Sequence, residues 1–111
     1  MKLITTLAVA CGLMAASAMA NAAIDNAAAQ AIMKKGGCAT CHKLDKPAAG
    51  PSIKDIAKKQ KGNAKAADEL KTAVREGSKG RYGADSEMPG FPAKKISDAD
   101  LSSLVQWILA Q

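Results

Sequence analysis

Cys38-Ala39-Thr40-Cys41-His42 is the stretch on which the reading of this 111-residue chain turns. The sequence holds three cysteines and a single histidine, and two of the cysteines and the histidine fall within these five residues. C-x-x-C-H is the attachment pattern for c-type haem. The spacing has a geometric reason. Cysteines three apart on a helical turn point the same way, so both can reach the two vinyl groups on one haem edge. The next residue then brings its imidazole under the iron. The expectation is one haem c per chain, bound covalently through Cys38 and Cys41, with His42 as an axial ligand of the iron. Two other uses of paired cysteines fit less well. A thioredoxin-like redox pair sits near a βαβ pattern, and no strand-like run precedes Cys38. A structural zinc site needs four ligands, and beyond the motif only Cys11 remains.

Cys11 lies upstream in a different kind of segment. Lys2 makes a short positive start, Leu3 to Ala20 is an unbroken run of apolar and small residues, and Ala18-Met19-Ala20 gives a small-x-small processing signal. This reads as a secretory signal peptide over residues 1–20, cleaved after Ala20, with Ala22 as the alternative, leaving a single domain over 21–111. An uncleaved anchor is the competing reading, but the run is rich in Ala, Thr and Ser and ends in a cleavage pattern. A lipid-modified Cys11 is disfavoured, because Ala8-Val9-Ala10 lacks the leucine expected three positions upstream. Export implies a periplasmic protein with no stable membrane insertion once the leader is removed.

All ten acidic residues and fifteen of the sixteen basic ones stay with the mature part, for a net charge of +5. Charge of this size speaks to partners and solubility rather than to fold. Nucleic acid is excluded as a partner on composition. Tyr82, Phe91 and Trp107 are too few and too scattered to stack bases. So few aromatics also leave little core for a domain of this size, which then needs a cofactor or another staple.

The mature chain reads as helical throughout, with about four helices. Asp25 or Asn26 caps a first helix to about Lys35, stopped by Gly36-Gly37. Ser52 to Lys61 forms a short second helix with Ile53, Ile56 and Ala57 on one face. Asn63 to Glu76 forms a third, with Ala67, Leu70, Ala73 and Val74 at helical spacing and Gly77 at its end. Ser97-Asp98-Ala99-Asp100 starts a fourth with a capping-box pattern, and Leu101, Leu104, Val105, Ile108 and Leu109 make its apolar stripe. Between the third and fourth lies Gly77 to Ile96, rich in glycine and proline. A segment of that length suits a compact domain if it wraps a ligand.

Met88 stands in that segment. Thioether sulfur commonly fills the second axial position in electron-carrying cytochromes. Met1, Met14 and Met19 leave with the leader, and Met33 reads as a core residue of the first helix. Met88 is far enough beyond His42 for the chain to cross to the opposite face of the haem, and Pro89 holds its backbone extended. Met88 is therefore the expected second ligand of the iron.

Taken with Gly50-Pro51, Gly77 to Gly83, Met88-Pro89 and Trp107, the motif resembles the short bacterial class I cytochromes c, single-haem periplasmic carriers. The resemblance covers nearly the whole mature chain. It implies an all-α fold wrapped on one haem, a Pro51 carbonyl that orients the histidine ring, a Tyr82 that meets a haem propionate, and Trp107 where the last helix crosses the first. Two departures stand out. The family commonly has an aromatic at the position of Met33. It also often has a propionate-binding arginine on the third helix, where this chain has Ala73, with Arg75 two positions away.

The resulting functional expectation is a monomeric electron carrier, not an enzyme, shuttling single electrons between respiratory redox partners. The alternative is a haem enzyme or gas-binding protein with an open sixth coordination site. Lys34, Lys35, Lys43, Lys46, Lys54, Lys58, Lys59 and Lys61 crowd the half of the chain around the motif. They read either as a solvated face or as a positive rim that steers partners with acidic docking surfaces. The small core generates a prediction. Cys38→Ala/Cys41→Ala should leave little folded protein, since the apo chain cannot offset its conformational entropy. Far-UV circular dichroism of the purified variant should then show no cooperative thermal transition.

Overall fold

The computed structural model describes residues 23–111, so the leader and its cleavage after Ala20 or Ala22 lie outside the described residues. Four helices follow in order: α1 (Asn26–Gly36), α2 (Ile53–Gln60), α3 (Ala66–Glu76) and α4 (Asp98–Leu109). Three begin at side-chain caps. Asp25 accepts from the Ala28 amide at 2.7 Å, Ser52 from Asp55 at 3.0 Å and Ser97 from Asp100 at 3.2 Å. Each cap satisfies an amide that the first turn leaves without a partner. α1 ends at Gly37, whose φ of +84° suits glycine, and the chain turns at once into a single 3₁₀ turn over Cys38–Thr40.

α3 begins later than its apolar periodicity predicts, and Asn63 is the reason. Its Oδ1 accepts from the Lys65 amide at 3.0 Å, while its Nδ2 donates to Gln60 Oε1 at 2.8 Å and to Glu69 Oε2 at 3.0 Å. A side chain that bonds its own neighbouring backbone offers an alternative to helix. The turn it makes delays α3 to Ala66.

The segment after α3 is not wholly irregular. β1 (Ser78–Lys79) and β2 (Glu87–Met88) form an antiparallel ribbon, with Ser78 opposite Met88 and Lys79 opposite Glu87. Two-residue strands carry no periodicity that a sequence could display. The ribbon leaves the all-α class unchanged, but it gives Met88 a fixed backbone register.

α4 is the hub and packs against each of the other three helices. Its buried residues are Leu101, Leu104, Val105, Trp107 and Ile108. Leu109, expected on the stripe, is only half-buried, and Trp107 takes the deeper position. The indole explains the exchange. Trp107 Nε1 donates to Asn26 Oδ1 at 2.9 Å, joining α4 to the first residue of α1 and satisfying the one polar atom of a ring that is otherwise core. Met33 is also fully buried, at 1 % exposure. α3 differs from the rest. Only Ala66 is buried, and Leu70, Ala73 and Val74 stay half-buried because they face a cavity.

Beyond β2 the chain is laid tightly along the end of α3. The Phe91 amide donates to Val74 O at 2.7 Å. A Cβ at Gly90 would lie 2.6 Å from Arg75 O, and one at Gly77, where φ is +88°, would lie 2.6 Å from Met88 O. Both contacts are with backbone, which cannot swing away. Gly90→Ala should therefore cost about 1–3 kcal/mol, the usual range for overpacking, seen as a lower urea midpoint with an unchanged slope.

Candidate haem site

Within the 3₁₀ turn the amides of Cys41 and His42 both donate to Cys38 O, at 3.1 and 3.0 Å. This local closure holds the two cysteines and the histidine on one short loop of backbone. Both thiols are free, Cys38 buried and Cys41 half-buried. Burial pushes the Cys38 thiol above its ordinary pKa, a backbone hydrogen bond opposes that shift, and the nearby Cys41 adds to it.

His42 sits 2.8 Å from Pro51 O through Nδ1. A carbonyl can only accept, so Nδ1 carries a proton, and in the neutral tautomer it is Nε2 that offers the lone pair. The loop between motif and proline is curled to allow this. The Gly50 amide donates to Cys41 O at 2.9 Å, and a Cβ at Gly50 would stand 2.7 Å from His42 Cε1 and 3.0 Å from Nδ1. Only glycine leaves room for the ring in that position. The Gly50-Pro51 pair therefore serves His42 twice, by space and by a hydrogen bond.

Cys38, Cys41, His42 and Met88 all line one cavity of about 370 Å³. That volume lies in the range of small-molecule and cofactor sites. Its walls are apolar, with Ile53 and Ile56 from α2, Leu70 and Val74 from α3, and Leu101 and Leu104 from α4. Outside the motif, every polar side chain that lines it comes from the ribbon segment: Ser78, Arg81, Tyr82, Ser86 and Glu87. The cavity is thus apolar within and polar along one segment only.

That segment is latched to α2. Lys59 Nζ lies over the Tyr82 ring, 4.2 Å from its centroid, and donates to Arg81 O. The turn closes on itself as the Tyr82 amide donates to Ser86 Oγ at 3.1 Å and Ser86 Oγ donates to Gly83 O at 2.9 Å. Burial raises the Tyr82 phenol above its ordinary pKa, with neighbouring Arg81 pulling the other way and Asp55 adding to the rise. Tyr82 is thus a protonated hydrogen-bond donor at neutral pH.

The two arginines nearest the site divide between different tasks. Arg75 turns away from the cavity, bonding the carbonyls of Phe91 and Ile96 and the Asp98 carboxylate. Arg81 is the one lysine or arginine among the residues lining the cavity. Its place beside Tyr82 between Gly80 and Gly83 is the signal in the sequence that marks it. The lysines around the motif also divide. Lys43 donates to Ala39 O at 2.8 Å, Lys54 pairs with Asp45 at 2.5 Å, and Lys59 makes the latch. Among the described residues Lys34, Lys35, Lys46, Lys58 and Lys61 are exposed without such partners.

The residues present fit a haem. The cavity offers two thiols, an imidazole with its tautomer set, a thioether, apolar walls and one polar, cation-bearing stretch. Among the described residues no cluster of three or more His, Cys, Asp and Glu could hold a bare metal ion.

The family model described as cytochrome c oxidase, cbb3-type, subunit III matches residues 24–108. The chain is 45 % identical to cytochrome c2 of Rubrivivax gelatinosus over 78 residues, 70 % of this chain and 91 % of that protein. It is 38 % identical to cytochrome c-552 of Nitrosomonas europaea over 98 residues, 88 % of this chain and 91 % of that protein. The chain belongs to the class I cytochromes c. Its backbone matches the crystal structure of the Nitrosomonas europaea cytochrome c552 with a TM-score of 0.65 and 37 % identity, covering 73 % of this chain and 96 % of that one. The class 1 cytochrome MtoD of Sideroxydans lithotrophicus ES-1 matches with a TM-score of 0.65 and 34 % identity, over 79 % of this chain and 97 % of that one. It is an electron-transfer cytochrome of this family, and haem c is the cofactor that the family implies.

Proposed function

We propose that this cytochrome is a periplasmic single-electron carrier with one haem c, attached covalently through Cys38 and Cys41 and ligated by His42 and Met88. When bound, haem supplies a one-electron Fe(III)/Fe(II) couple. The observation that carries the ligand assignment is the lining of one apolar cavity by the cysteine pair, the imidazole and the thioether together. His42 offers Nε2, because Pro51 O claims the Nδ1 proton. Met88 offers a soft, neutral sulfur, which favours Fe(II) and raises the potential. The apolar walls exclude water, and Arg81 and Tyr82 would receive the carboxylates of the macrocycle.

With His42 and Met88 both holding the iron, the protein would serve as a carrier rather than an enzyme. The alternative, an enzyme or gas-binding protein with an open sixth site, requires Met88 to stand clear of the iron. Residues 1–20 act as the leader and 21–111 as the mature domain, a monomer. No helix among the described residues is long and apolar enough to cross a membrane. Exposed Lys34, Lys35, Lys46, Lys58 and Lys61 suit brief encounters with redox partners whose docking surfaces are acidic.

Met88→Ala should open the ferrous protein to carbon monoxide, lower the potential and abolish the weak far-red band of the oxidised form. If the unaltered ferrous protein binds carbon monoxide readily, the open-site alternative holds instead. Electron transfer to the partner should slow as salt rises, since screening acts over about 8 Å at physiological ionic strength. Lys58→Glu/Lys61→Glu should slow it further at low salt in stopped-flow traces. Lys59 is excluded from that pair because its ammonium also holds the Arg81–Tyr82 turn.

A further inference from the structure

The guanidinium of Arg75 binds three points on a segment of chain far from it in sequence. Nη1 donates to Phe91 O at 3.2 Å and to Ile96 O at 2.8 Å, and Nη2 donates to Asp98 Oδ1 at 2.5 Å. The side chain is only 24 % exposed, whereas Asp98 is 92 % exposed. The carbonyl of the same residue lies where a Cβ on Gly90 would strike it. The Phe91 amide meanwhile bonds to Val74 O at 2.7 Å. The last turn of α3 thus grips residues 90–98 by backbone on one side and by a forked cation on the other.

Met88 is two residues upstream of that grip. On its other side the ribbon pairs Met88 with Ser78. No helix holds the methionine. It stands on a strap fastened at one end by a two-residue ribbon and at the other by α3, Arg75 included. An isolated two-residue ribbon is weak, so the second fastening decides how often the strap lifts. A planar guanidinium with several fixed donors suits three acceptors in a way that a lysine ammonium does not.

We propose that Arg75 is a positioning residue for Met88, and that its clamp on Phe91, Ile96 and Asp98 sets the fraction of time the thioether is withdrawn from the cavity. The proposal rests on Met88 being the second iron ligand. Charge-assisted hydrogen bonds are stronger than neutral ones, and losing two or more of them raises local opening by about tenfold. The clamp belongs to the strap alone. Arg75 does not line the cavity, so its loss leaves His42 and the cysteine pair untouched.

The test uses the haem-loaded protein and Arg75→Ala, with Arg75→Lys as the conservative variant and Trp107→Phe as a control. Trp107→Phe removes the bond to Asn26 and weakens the fold without touching the strap. In Arg75→Ala, carbon monoxide should bind the ferrous protein about tenfold faster, limited by strap opening. The far-red band of the oxidised form should weaken, and the Phe91 amide should exchange about tenfold faster than in the parent. Arg75→Lys should fall between the two, and Trp107→Phe should lower the melting temperature while leaving the carbon monoxide rate at the parent value. Parent-like carbon monoxide binding and Phe91 exchange in Arg75→Ala would overturn the clamp. So would an equal acceleration in Trp107→Phe, which would make the effect one of global stability. Failure of the underlying ligation looks different, because there the unaltered ferrous protein already binds carbon monoxide without delay.

Discussion

An apolar cavity of about 370 Å³ at the centre of so small a fold is the constraint to which its other features answer. Helices in a domain of this size ordinarily bury their apolar stripes against one another. Here α4 buries its stripe while also lining the cavity, but α3 buries only Ala66 and leaves Leu70, Ala73 and Val74 half-buried on the cavity wall. Burial is worth about 25 cal/mol per Å² of apolar surface removed from water. An apolar macrocycle against these walls therefore completes the core as well as the site. Folding and cofactor retention become one problem for a chain with three aromatics in all.

The cavity is served by two unlike devices. On the motif side everything is local: a 3₁₀ turn, a glycine with no room for a side chain, and a carbonyl 2.8 Å from the imidazole. On the Met88 side everything is long-range: a two-residue ribbon, a strap laid along α3, and a turn latched to α2 by Lys59. The first device sets an orientation that sequence neighbours can enforce. The second depends on elements that meet only after the helices have packed, so it is the softer of the two.

Charge is divided in a similar way. Sequence alone presents the lysines near the motif as one basic block, yet the structure assigns Lys43, Lys54 and Lys59 to internal bonds and leaves others exposed. The arginines are divided too. Arg75 spends its donors on the strap, and the cation that reaches the cavity is Arg81. Net charge alone therefore does not tell which cations are free to meet a partner.

The fold class and the family were legible in Cys38-Ala39-Thr40-Cys41-His42, the capping serines, the glycine stops and the stripe of α4, because short-range geometry dictates each of them. The approach of Pro51 to His42 was expected from the family resemblance, and the structure carries it at 2.8 Å. What tertiary structure alone decided were contacts between residues distant in sequence. Trp107 displaces Leu109 from the core by reaching Asn26, eighty-one residues away in sequence. Ribbon strands of two residues are too short to show a period, and a guanidinium does not reveal in sequence which carbonyls it will find. Local preference is written residue by residue, but the partner of a long polar side chain is set by what the packed helices bring within its reach.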